Sequence, residues 1–327
     1  MPSIERSTTN IVLMLLFIAQ LGLLSFWQLR GSVAPPSAEA LVDIALDEVQ
    51  SLEVVDAAGS SLNIERLDGA WVLANSDGFP VQASAIDPLL AKLLAIRNDS
   101  LVAQKASSHA RLKVAENDFE KYIELQGAGK NIALYFGTSP RASSIHVRRG
   151  DQNAVYIGRD IQSFDLRTTL SAYIDSNYIN IAPNNLLALD IERDGQSYSF
   201  SPLNDNGNWR LDADEAIAVA GLAPEDFDPD KIDEFVRSAQ RISLTTPMGT
   251  SEEASYGLDE PVAIARYSIA SEGASEVVEL LIGAELDGQR VIKASNQPHY
   301  VRASGLSVGD IVGLSLESFL ADEEISE

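Results

Sequence analysis

Hydrophobic and polar positions follow two different rhythms along this chain. Residues Ile11 to Leu29 (IVLMLLFIAQLGLLSFWQL) carry no charge, and only Gln20, Ser25 and Gln28 are polar. At about 1.5 Å per residue, a helix over this run is roughly 28 Å long, close to the thickness of a bilayer's hydrocarbon core. The run is apolar all round, unlike a surface helix of a soluble domain. The pattern predicts a transmembrane helix over 11–29 behind a short cytoplasmic head at 1–10. A cleaved secretory signal has a shorter apolar run and a small-x-small site. Here Ser32-Val33-Ala34 is followed by Pro35 and Pro36, a poor place to cut. Gly31 to Ala40 (GSVAPPSAEA) is rich in Pro, Ser and Ala, and a linker over 30–45 is expected.

Beyond the linker the rhythm changes to strand-like alternation, and its landmarks occur twice. VQSLEVVD (Val49–Asp56) and SLNIERL (Ser61–Leu67) lead through Asp68-Gly69 into AWVLA (Ala70–Ala74). LLALDIERD (Leu186–Asp194) and QSYSFSPL (Gln196–Leu203) lead through Asn206-Gly207 into NWRLD (Asn208–Asp212). Both read as three-strand meanders with turn residues suited to positive φ, and Trp71 and Trp209 hold matching places on the third strand. A helix follows each. Asp87-Pro88 is expected to open the first, with Leu89, Leu90, Leu93, Leu94 and Ile96 as its stripe. Asp228-Pro229 opens the second, with Ile232, Phe235, Val236, Ala239 and Ile242. An Asp cap with Pro at the first helical position is a sound start. NIALYFG and VVELLIG then end at Gly137 and Gly283. SIHVRRG (Ser144–Gly150) pairs with RVIKAS (Arg290–Ser295), and AVYIG, with Tyr156, pairs with HYVRA, with Tyr300. Weakly helical stretches at Phe164–Tyr173 and Val308–Leu320 close the halves. The expected fold class is α+β: two tandem repeats of an antiparallel-sheet-plus-helix domain over 46–182 and 183–320, then an acidic tail at 321–327.

Charge narrows the function. Lys and Arg number 24 against 48 Asp and Glu, a formal net charge of −24. Such a field repels phosphate backbones and argues against nucleic acid as a partner. With 45% hydrophobic residues the body is not a disordered stalk. The chain has no cysteine, which suits a protein of the cell envelope that avoids stray disulfides. Arg6 and Arg30 nearly balance across the apolar run. The absence of cysteine and the short head place the body outside the cytoplasm, on a bacterial inner membrane.

Candidate chemistry is sparse. Gly305-Leu306-Ser307-Val308-Gly309 matches the G-x-S-x-G nucleophile elbow. That elbow needs an acid and then a histidine downstream, yet the last histidine is His299. The simpler reading is a turn in which Ser307 caps the last helix. His109, His146 and His299 lack a second ligand at metal spacing and read as surface or edge-strand residues. Asp226-x-Asp228-x-Asp230 begins like a calcium loop but has Lys231 and Arg237 where Gly and Glu are required. Gly127-Ala128-Gly129-Lys130 lacks the flanking residues of a phosphate loop. Trp71 and Trp209 read as core anchors before they read as stacking platforms. No catalytic residue, cofactor or metal is expected.

The order of these landmarks carries a family resemblance. A single N-terminal anchor, a Trp on a third strand, an amphipathic helix, Tyr256-Gly257-Leu258 with Pro261, a glycine-ended strand and a Val-Tyr strand together resemble the bacterial domain of unknown function numbered 4340. The resemblance runs over Val49 to Leu320. In the first half, Glu116-Asn117-Asp118-Phe119 stands where Tyr-Gly-Leu is expected. Members are similar to accessory components found with ABC-type export permeases and gliding-motility systems. The resemblance therefore implies a membrane-complex partner and supplies no active site. With the anchor, the duplicated body and the lack of a complete catalytic set, the expectation is a non-enzymatic, membrane-anchored subunit docking on an ABC-type permease or another envelope complex. The alternatives are a ligand-binding module using the crevice between the halves and, more remotely, a serine hydrolase at Ser307.

Overall fold

The structure is a computed structural model and describes residues 8–30, 38–203, 208–212, 217, 220–271 and 274–321. The apolar run forms helix α1 (Thr8–Arg30). Its described side chains are those of residues 12–23 and 25, and among the described residues no helix is long and apolar enough to cross a membrane. From Val12 to Leu23 its large apolar side chains are 48–68% exposed, so the segment is not packed inside the body. The Asn206-Gly207 turn and the acidic tail beyond Ala321 lie outside the described residues.

The first half lays down β1 (Val49–Asp56), β2 (Ser61–Leu67), β3 (Ala70–Leu73) and β4 (Phe79–Pro80). Then come α2 (Ala83–Leu94), β5 (Leu101–Ala103), the one-turn α3 (His109–Leu112), and a small ladder of β6 (Val114–Ala115) with β7 (Asp118–Phe119). β8 (Lys121–Gly127), β9 (Lys130–Phe136), β10 (Ser144–Arg149) and β11 (Val155–Arg159) complete it. Nine of these strands form one antiparallel sheet, ordered β4-β3-β2-β1-β8-β9-β10-β11-β5.

The second half contains β12 (Asn177–Asn180), β13 (Leu186–Arg193), β14 (Gln196–Pro202) and β15 (Trp209–Leu211). After α4 (Pro229–Ala239) come β16 (Arg241–Gly249), β17 (Ala263–Ser271), β18 (Ala274–Leu286), β19 (Gln289–Ala294) and β20 (Tyr300–Ser304), then α5 (Gly305–Val312). Its sheet runs β15-β14-β13-β17-β18-β19-β20-β16-β12. From the third meander strand onward, eight strands follow the same sequence of neighbours in both sheets. The first sheet adds β4 beside β3, and the second adds β12 beside β16.

Alternation explains the inner faces. Val49, Leu52 and Val54 on β1, and Leu186, Leu189 and Ile191 on β13, point inward. α2 buries Ile86, Leu89, Leu90 and Leu93, and α4 buries Ile232, Phe235, Val236 and Ala239, the same i, i+3, i+4, i+7 stripe. These residues join one hydrophobic cluster that runs through both halves.

Asp228 caps α4 as expected, accepting from Asp230 N with Pro229 at the first helical position. Asp87-Pro88 does not open α2. The chain turns back to pair β4 with β3, and the helix begins at Ala83, leaving Pro88 inside it. Pro88 is tolerated there because it and Ser84, whose carbonyl loses its helical partner, are both exposed to water. Phe164–Tyr173 is not a helix but two short 3₁₀ turns, Ser163–Asp165 and Leu170–Ala172.

Candidate functional site

Gly137 directly follows β9 and Gly283 lies within β18, and each lies under a chain crossing. A Cβ on Gly137 would stand 1.9 Å from the Leu112 carbonyl oxygen, and one on Gly283 would stand 2.2 Å from that of Tyr256. The crossing segments match. Lys113 follows α3 with φ 57°, and Gly257 follows a 3₁₀ turn with φ 63°. Leu112 and Val114 are buried beside Val155, as Tyr256 and Leu258 are beside Val291. The element corresponding to Tyr-Gly-Leu is thus Leu112-Lys113-Val114, not Glu116 to Phe119. Sequence reading missed it because a left-handed Lys carries none of the glycine signal.

The junction between the halves is built by the turn before β4. Asp77 accepts hydrogen bonds from Thr250 N (2.8 Å) and Thr250 Oγ1 (3.1 Å). These two donors, with His299 adding, hold its carboxyl below the usual range against a small opposing effect of burial. The His299 ring meets the Asp77 carbonyl through Nε2 (3.1 Å) and packs edge-on against Phe79 at 5.0 Å. Tyr178 OH donates to the His299 carbonyl (2.8 Å) and accepts from Ala294 N (3.0 Å), and burial pushes this hydroxyl up to about 12. A cavity of 280 Å³ opens beside Phe79, Tyr178 and His299. The polar atoms of Tyr178 and His299 that reach partners there are engaged with backbone.

A larger cleft of 590 Å³ lies at the end of β10, lined by His109, Glu116, Asn117, Arg148, Asp151 and Asn153 among others. Arg148 is only 3% exposed. Its Nε donates to the Val114 carbonyl (2.7 Å), and its Nη1 donates to those of Arg149, Gly150 and Gln152 (3.1–3.3 Å). The guanidinium lies over the Tyr135 ring at 4.5 Å. Burial lowers its pKa, opposed by Tyr135 and Glu116.

The remaining sequence candidates have structural work. Trp71 and Trp209 are buried core residues, with the Arg66 guanidinium 4.6 Å above the Trp71 ring. Tyr156 and Tyr300 lie half-buried on β11 and β20. The three histidines are buried, not on the surface. His109 Nε2 meets the Asn153 carbonyl (2.9 Å), and His146 Nδ1 meets Thr138 Oγ1 (3.0 Å). Alternation alone did not separate an inward histidine from an edge one. Ser307 does not cap α5. Ser304 does, accepting from Ser307 N, while Ser307 Oγ accepts from Ser243 N at 2.7 Å. Ala128-Gly129 forms the β8–β9 turn, and Lys130 reaches Asp43 (2.7 Å). Among the described residues no cluster of three metal-ligating side chains occurs.

Part of this chain matches a family profile. That of the domain of unknown function DUF4340 matches residues 71–261. The chain belongs to the DUF4340 family. The match begins at Trp71 on β3 and ends just before β17, so it bridges both sheets and is narrower than the span from Val49 to Leu320. No curated protein and no solved structure matches the chain.

Proposed function

We propose that this DUF4340 protein is a non-enzymatic, membrane-anchored interaction subunit. In this reading the apolar run Ile11–Leu29 is a single-pass anchor, and the two sheets are two copies of one α+β module held outside the cytoplasm. The body docks on an inner-membrane partner such as an ABC-type permease.

The observation that carries the reading is the exposure of α1. Nine large apolar side chains, Val12 to Ile18, Leu21 and Leu23, stand at 48–68% exposure on one helix. A patch of that kind is not stable in water and calls for lipid or protein cover. The helical backbone from Thr8 to Arg30 is about 34 Å long, enough to take in the whole uncharged run. The matching strand order and the paired glycine crossings support the duplication.

The test has two stages. Membrane flotation with an alkaline wash should leave the chain in the lipid fraction, whereas a chain lacking residues 1–30 should be released. Recovery of the full chain in the soluble fraction would overturn the anchor. Affinity capture from gently solubilised membranes should then bring down a polytopic protein; capture of the bait alone would overturn the docking role.

A further inference from the structure

The two sheets place a cation at the same register, buried in the first and half-buried in the second. Arg148 on β10 stands opposite Tyr135, two residues before Gly137, and Lys293 on β19 stands opposite Leu281, two residues before Gly283. Both grip the turn that follows: Arg148 takes the carbonyls of Arg149 and Gln152, and Lys293 takes those of Ala294 and Gln297. Each pair is the i+1 and i+4 carbonyl counted from the cation.

The ammonium completes its work on that turn and lies over the Tyr300 ring, 5.4 Å from its centroid. The guanidinium does not. Its Nε and Nη1 serve carbonyls, and Nη2 carries no hydrogen bond among the described residues. Every hydrogen-bond partner of this cation among the described residues is a neutral carbonyl, and its one ring contact is the Tyr135 face. Of the nearby carboxylates, Asp151 is bonded to Arg149 at 3.0 Å, and Glu116 is exposed at the rim. Glu116 acts on Arg148 only from a distance, and a buried positive charge with no ion-paired carboxylate is costly unless something supplies one.

We propose that the 590 Å³ cleft at the end of β10 binds a compact oxyanion, the carboxylate or phosphate group of a small ligand, through the free Nη2 edge of Arg148. A guanidinium already fixed by carbonyls loses little freedom on binding, which favours a planar, charge-assisted contact. Asn117 and Asn153 line the same cleft and offer neutral polar contacts to the rest of the ligand. The rim carboxylate of Glu116 opposes entry and sets a modest affinity. The site does not depend on the anchor or on a permease.

The test is calorimetric titration of the full chain in detergent with sodium acetate and with inorganic phosphate, at fixed ionic strength, with chloride as the control. Saturable binding of either oxyanion supports the site, and the preferred one identifies the group. Arg148→Lys keeps the carbonyl grip that Lys293 demonstrates, so it should fold while binding about tenfold more weakly. Glu116→Gln leaves Arg148 untouched and should bind a few-fold more tightly. No saturable heat with either anion, or unchanged affinity in both variants, would overturn the proposal.

Discussion

The two sheets share a connection order and differ in how they handle charge on their outer faces. In both, the first meander strand bulges after its first residue. Three positions on from the bulge, Glu53 faces Glu124 across β1 and β8, whereas Asp190 faces Arg266 across β13 and β17. Arg266 is held by Glu192 (3.2 Å) and Glu279 (2.8 Å). Glu124 has neutral donors instead: Tyr122 OH at 2.5 Å, Asn131 Nδ2 at 2.8 Å and Gln126 Nε2 at 3.1 Å. Those bonds, the tyrosine's first, hold its carboxyl below the usual range. The backbone register is common to both sheets, and the electrostatic solution is local to each. Architecture here constrains where a crossing chain or a carbonyl-bound cation must stand, and leaves outer polar positions free to diverge.

The largest test of this comparison is at the crossings. Gly137→Ala and Gly283→Ala each force a Cβ into a carbonyl oxygen, and each should cost about 3–5 kcal/mol in chemical denaturation. A large loss at one and none at the other would break the equivalence.

Next come the helices. Aligned on their buried stripes, Asp87 on α2 corresponds to Asp233 on α4. Asp233 is 9% exposed and accepts from Trp209 N (2.7 Å) and Asn208 Nδ2 (3.0 Å). Asp87 is exposed. Asp233→Ala should therefore cost about 2–3 kcal/mol and Asp87→Ala under about 0.5. Similar losses at both would show that the stripe alignment does not predict role.

The junction should respond to acid. Asp77 titrates below its unfolded value, so its contribution is complete above the ordinary carboxylate range, near pH 4, and is lost as pH falls through the folded value. Fluorescence of the chain against pH should show Asp77→Asn removing part of the acid-side destabilisation. An identical profile would remove Asp77 from the account. The smallest effect is expected from Glu53→Lys, which gives the first sheet the opposite-charge pairing of the second. It should raise stability by about 0.5 kcal/mol, read as a shift in the thermal midpoint. A loss of stability would mean that the neutral donors around Glu124 already compensate the like-charge pair.

Much of the architecture was legible in the pattern. The meander strands, the Asp228 cap and the strand that stops at Gly137 were visible because local propensity and turn chemistry agree there, whereas the second run does not end at Gly283 but continues to Leu286. β5 and β12 were not visible, since short edge strands have no face that alternates cleanly, and β16 was not, because its Ile242 continues the helical stripe of α4. The start of α2 escaped because an Asp-Pro pair imitates a cap, and only the return of β4 onto β3 fixes the chain a turn and a half earlier.

What the sequence determined by itself is the two-rhythm plan: an uncharged helical run, then alternating strands broken by residues that accept positive φ. Those are properties of nearest neighbours, and they survive without any partner. The tertiary structure alone decided which positions lie under a crossing chain, that all three histidines are interior, and that Arg148 ends with one edge of its guanidinium unspent. Each depends on residues far apart in sequence meeting at hydrogen-bond distance, and no local pattern encodes such a meeting.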